Sequence, residues 1–174
     1  MSEDLRFPVG NFEQVEVTNE LRRQFIKTIA ELPAKLRSAC EGLSEVQLET
    51  TYRPEGWTIK QVIHHVADSH AQSLSRFKLG LTENCPTIKP YSEADWAELA
   101  DSKHAPIDSS LAIIEGTHAR WTLLLNSMSD ADFAKKLNHP ERGEYDLDYF
   151  LSLYDWHSRH HLAHITQLRK RNQW

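Results

Sequence analysis

The stretch Thr58–Leu81, TIKQVIHHVADSHAQSLSRFKLGL, decides how this chain folds. Its first four residues have the form of a capping box, in which a Thr hydroxyl accepts from the N–H three residues on and a Gln reaches back. Behind that cap, Ile59, Ile63, Val66, His70, Leu74, Phe77 and Leu81 recur at three- and four-residue intervals. That spacing lays one apolar stripe along an α-helix. A stripe of this length needs other helices to cover it, because helix propensity alone contributes little in water.

Working outward, apolar residues keep helical spacing from Val17 to Leu43, with Pro33 expected to kink or divide the segment. Residues 1–16 read as extended, with FPVG (7–10) as their first turn. The run from Cys85-Pro86 to Lys89-Pro90 reads as a connector, since each proline disfavours helix in its predecessor. Ser92 to Asp95 opens a short helix to about Ala100, anchored by Trp96 and Leu99. Asp108-Ser109-Ser110 is expected to cap a long helix bearing Leu111, Ile114, Trp121, Leu124 and Leu125, and Ser129 to cap one more turn. The segment NHPERGE (138–144) predicts a turn, read as a small β-hairpin centred on Arg142-Gly143. The last helix runs from about Asp146 nearly to the end, with Arg169, Lys170 and Arg171 suiting its negative dipole end. The expected fold is therefore all-α: a four-helix bundle with crossover connections and one small hairpin, in a single domain over 1–174.

Composition excludes several classes. Lys plus Arg is 20 against 25 Asp plus Glu, a formal charge of −5, which argues against a nucleic-acid binder. With 40% hydrophobic and 26% charged residues the chain is not disordered, and 6 Gly leave little material for the turns of an all-β fold. No apolar run is long enough for a signal peptide or a membrane span, so a cytoplasmic protein is expected. Cys40 and Cys85 form no CxxC pair and are expected as reduced packing residues.

Histidine is the anomaly, with 10 copies, most of them crowded into two short segments. On the last helix the apolar face Leu147, Phe150, Leu151, Tyr154, Ile165 and Leu168 is interrupted by His157 and His161. Imidazoles at i and i+4 stand one above the other and can put two nitrogens on one ion. His160 and His164 offer a second such pair, rotated by about 100°. Periodicity favours His157 and His161 as the core-facing pair. On the Thr58 helix, His65 lies on a polar row with Gln61, Asp68, Gln72 and Arg76, a row without Lys or Glu, and so could supply a third imidazole from a hydrated pocket. A lone histidine on an apolar face is ordinarily a hydrogen-bonded core residue. Two buried rings together need more partners than a bundle core offers, which turns the balance toward a metal. Three imidazoles suit Zn²⁺, Ni²⁺, Cu²⁺ or Fe²⁺, and three protein ligands leave a coordination position for water or substrate. Asp68 can orient an imidazole or act as a base, and Arg76 can hold an anionic group. Trp57, Tyr154 and Trp156 read as packing.

The segments YRPEGWTIKQVIHHVADSHAQSLSRFKLGLTE, IKPYSEADWAELADSK and YDWHSRHHLAHITQL closely resemble YfiT-like members of the DinB superfamily. The resemblance implies a four-helix bundle of unusual crossover topology, a divalent metal (zinc first, nickel second), a homodimer and a metal triad at His65, His157 and His161. It also implies a metal-dependent hydrolase acting on a small molecule, or a thiol S-transferase of the bacillithiol type. A metal-binding bundle without enzymatic activity is the third class. No catalytic base is assigned.

Overall fold

A computed structural model describes residues 4–174. Eight helices and one hairpin follow one another: α1 (Asn19–Cys40), α2 (Glu45–Leu48), α3 (Ile59–Thr82), α4 (Glu93–Ala97), α5 (Ala100–His104), α6 (Ile107–Ser127), α7 (Asp130–Phe133), β1 (Lys136–His139), β2 (Gly143–Asp146) and α8 (Leu147–Asn172). The capping box at Thr58 forms with both of its hydrogen bonds, and Asp146 caps α8 by accepting from Tyr149 N–H. The hairpin pairs antiparallel, Leu137 opposite Tyr145, and turns over residues 140–142, slightly before the expected Arg142-Gly143 centre, with Gly143, whose φ of 87° suits glycine, opening β2 opposite His139.

Three local expectations are corrected. Pro33 neither divides nor ends α1, which runs unbroken past it. The cap expected at Asp108-Ser109-Ser110 is displaced, because α6 already begins at Ile107 behind Pro106, whose ring presets φ at −61°. Ser110 turns inward instead. Leu99 is exposed and anchors nothing, whereas Trp96 packs at 4.4 Å on Tyr91.

The four long helices form the bundle. α1 packs on α6 and α8, and α3 packs on the same two, so the circuit runs α1–α6–α3–α8. Only α3 and α6 are neighbours in both sequence and space; the passages α1 to α3 and α6 to α8 cross the bundle diagonally. These are the crossovers, and α2, α7 and the hairpin lie within them. They bring α3 beside α8.

The apolar interior is divided. One cluster holds Leu36, Val62, Val66, Ile114 and Ile165; the other holds Ile29, Phe77, Trp121, Leu125 and Tyr154. Along α3, α6 and α8, His70, His118, His157 and His161 come at the levels between them, and His65 borders the first. A polar layer thus sits at the waist, stable only if its nitrogens find partners.

Trp121 has no exposed surface and meets Phe77 edge-on at 5.4 Å. In urea titrations Trp121→Ala should lose about 3–5 kcal/mol. Leu123→Ala, on an exposed neighbour, should change stability by no more than about 0.5 kcal/mol. Equal losses would contradict this placement of the core.

Candidate metal centre

α3 contributes His65, and α8 contributes His157 and His161 one turn apart. Ligand-capable nitrogens of the three lie within 4.8 Å of one another, and His65 Nε2 faces His157 Nε2 at 3.2 Å. His65 and His161 are buried, while His157 is half-buried. Trp57 walls the group off, its ring 4.8 Å from His65. His157 also lines a cavity of about 780 Å³, together with Ser69, Arg76, Tyr91, Tyr154 and Trp156. The Tyr154 hydroxyl donates to Ser69 O at 3.1 Å. Arg76 reaches only Lys89 O, at 3.5 Å, and forms no ion pair among the described residues. The Tyr91 hydroxyl is buried without a hydrogen-bond partner among the described residues, and burial pushes its phenol pKa up.

Burial and neighbouring histidines hold His65 down to about 4 and hold His157 and His161 well below the usual imidazole value. All three are neutral at neutral pH, the form that binds metal. A tetrahedron with metal–nitrogen bonds of about 2.0–2.1 Å has edges of about 3.3–3.4 Å. The 3.2 Å separation of the two Nε2 atoms is close to that edge. The donor set therefore fits a divalent ion, and no thiolate takes part. Cys40 lies buried in the apolar core, which pushes its thiol up to about 11.

The first member of the His64-His65 pair faces elsewhere. His64 Nε2–H donates to Ala105 O at 3.1 Å, and its Nδ1 accepts from the Ser110 hydroxyl at 2.7 Å. It is a satisfied core residue tying α3 to the start of α6.

Two placements bear on alternatives that the sequence left open. His160 and His164, the pair that periodicity did not favour, are as buried as His161, because the N-terminal segment crosses α8: Phe7 lies 5.9 Å from His160, and Arg6 O takes His164 Nε2–H at 3.3 Å. His160, His161 and His164 form a second cluster whose nitrogens lie within 4.8 Å of one another. Asp68, considered as the orienter of His65, makes no side-chain hydrogen bond or ion pair among the described residues; burial raises its pKa.

The sequence missed another group. His70 Nε2 lies 3.0 Å from His157 Nδ1, His70 Nδ1 lies 2.8 Å from His118 Nε2, and His118 Nδ1 lies 2.6 Å from Ile29 O. The signal was present, since His70 and His118 occupy apolar-stripe positions on α3 and α6.

A crossover bundle with three neutral imidazoles converging beside a cavity defines a class of metal-binding helical proteins. This chain belongs to the DinB superfamily, whose family model matches residues 28–165. A protein of Bacillus mycoides (strain KBAB4), named "Putative metal-dependent hydrolase", is 51% identical over 98% of this chain and 99% of its own. One of Bacillus cereus (strain ATCC 10987 / NRS 248) bears the same name at 52% identity and the same coverage. The solved structure of YfiT from Bacillus subtilis, described as having an unusual four-helix bundle topology, superposes with a TM-score of 0.95. It shares 44% identity over 98% of this chain and 99% of that one. No helix among the described residues is long and apolar enough to cross a membrane.

Burial of neutral histidine also sets an acid limit. His118 falls from its ordinary value near 6.5 to about 4 through burial. Between those values the unfolded chain binds the proton and the folded one does not, so stability is full above about 6.5 and is lost as pH falls toward 4. Thermal melts of chelator-treated protein should be level from pH 8 to 7 and fall steeply below about 6.5. A level melting temperature down to pH 4 would mean these rings are not buried as described.

Proposed function

We propose that the protein is a metal-dependent hydrolase of a small molecule, with His65, His157 and His161 holding one divalent ion, zinc in the first instance and nickel as the alternative. The observation that carries this is the convergence of the three neutral imidazoles where His157 borders the cavity. A divalent ion held by three such ligands supplies Lewis acidity and lowers the pKa of a water in its open position to about 7. His65, on α3, and the His157–His161 pair, on α8, hold the donors across one helix seam. Trp57 keeps bulk water from one side. The cavity is of a size for a small-molecule ligand. Arg76, free of ion pairs, would receive an anionic group of the substrate. Names of close relatives add support for metal-dependent hydrolysis.

Replacing His65, His157 or His161 singly with Ala should remove stoichiometric zinc, measured by elemental analysis, while far-UV circular dichroism stays that of a helical bundle. A full equivalent retained in all three variants would exclude this centre. The zinc- or nickel-loaded protein should then turn over members of an ester and amide panel. Turnover only when bacillithiol is supplied with an electrophile would replace hydrolysis by thiol transfer. Inactivity in both screens would leave a metal-binding bundle.

A further inference from the structure

Besides His160, three buried histidines outside the triad remain to be explained: His70, His118 and His164, none more than 3% exposed. We infer that they are positioning residues: two carbonyl-anchored hydrogen-bond chains fix the tautomers of His157 and His161 so that the Nε2 lone pair of each is turned to the metal centre. This rests on the triad proposed above as the ligand set.

The first chain begins in α1. Pro33 has no N–H, so the carbonyl four residues back, Ile29, loses its helical donor. His118 Nδ1 fills the gap at 2.6 Å. A carbonyl oxygen can only accept, so His118 carries its proton on Nδ1, and the Nε2 of a neutral ring must accept. His70 Nδ1, 2.8 Å away, is then the donor, which leaves His70 Nε2 as acceptor. His157 Nδ1 donates to it at 3.0 Å. Its single proton is thereby placed, and the remaining nitrogen, Nε2, presents a lone pair toward His65.

The second chain begins at Arg6. Its carbonyl accepts from His164 Nε2–H at 3.3 Å, so His164 Nδ1 accepts and His161 Nδ1, at 3.4 Å, donates. His161 Nε2 is left as a lone pair in the same way. The same count decides between the two histidine clusters. His161 Nδ1 is occupied by a proton on the side facing His164, so His160, His161 and His164 do not form a second centre, and each chain holds one ion. Reversing any link would set two N–H groups, or two lone pairs, against each other in the core.

Long-range ¹H–¹⁵N spectra of the full-length labelled protein, chelator-treated and zinc-loaded, test this directly. The expected protons are Nδ1–H on His70, His118, His157 and His161, and Nε2–H on His164, in both states. Nε2–H on His157 or His161 in the chelator-treated protein overturns the inference, as do two zinc ions per chain. His118→Phe should lower zinc affinity about 10–100-fold with helicity unchanged. His118→Gln, whose amide oxygen can accept from His70 Nδ1–H, should restore most of it. Equal zinc affinity in the Phe and Gln variants overturns the first chain. Absence of zinc uptake with these tautomers present would defeat the metal centre itself, whereas one zinc per chain with the opposite tautomers would defeat only the positioning role.

Discussion

A buried neutral imidazole must give one proton and take another, and this bundle buries seven of its ten histidines. Helices are poor hosts for that demand, because their backbone carbonyls are already engaged. For three of the seven the structure meets it where regular helical bonding is interrupted. Pro33 releases Ile29 O inside α1, Ala105 O lies between α5 and α6, and Arg6 O belongs to the non-helical N-terminal segment. Each of the three carbonyls accepts from one histidine: His118, His64 and His164 respectively. The waist layer stands because these acceptors exist. Without them, several buried rings would each carry the cost of an unpaired polar atom.

Much of this was legible in the residues. The capping box and stripe of α3, the hairpin at Arg142-Gly143 and the start of α8 all depend on neighbours within a few positions, which is the range a sequence pattern reports. His157 and His161 stood out because they interrupt an apolar face, and His65 because its row lacked Lys and Glu. What stayed hidden is long-range. That His70 and His118 meet depends on α3 packing against α6. That His160 and His164 are buried depends on a segment about 150 residues away in sequence, whose Gly10 O accepts from Trp156 Nε1 at 3.0 Å. Pro33 read as a helix breaker because its cost is local. Its consequence, a free carbonyl aimed at His118, is tertiary.

The crossovers explain why the proposed centre lies across α3 and α8. In a simple up-and-down bundle, each long helix would pack beside its sequence neighbours. Here two diagonal passages set α3 next to α8, the pair whose apolar stripes both break off into histidine. The second passage carries the hairpin, and its Arg142 and Tyr145, with Tyr91 from the 83–106 connector between α3 and α6, border the cavity that reaches His157. One topological choice therefore assembles the donors and furnishes the chamber beside them.

The chemistry of the waist also has a sign. Metal-binding histidines are commonly backed by carboxylates, which raise the basicity of the ring and offset the charge of the ion. Here the hydrogen-bond partners of His157 and His161 are neutral imidazoles, and the chains end on neutral carbonyls. Asp68, the acidic residue on α3, makes no hydrogen bond to any of the three rings among the described residues. A dication bound among them would keep its full charge in a poorly screened interior, where electrostatic effects are strongest. Under the function proposed above, that would favour polarisation of a bound group over tight structural sequestration. In the function proposed above, Arg76, without an ion pair among the described residues, would add positive charge to the cavity wall, which Arg142 also lines.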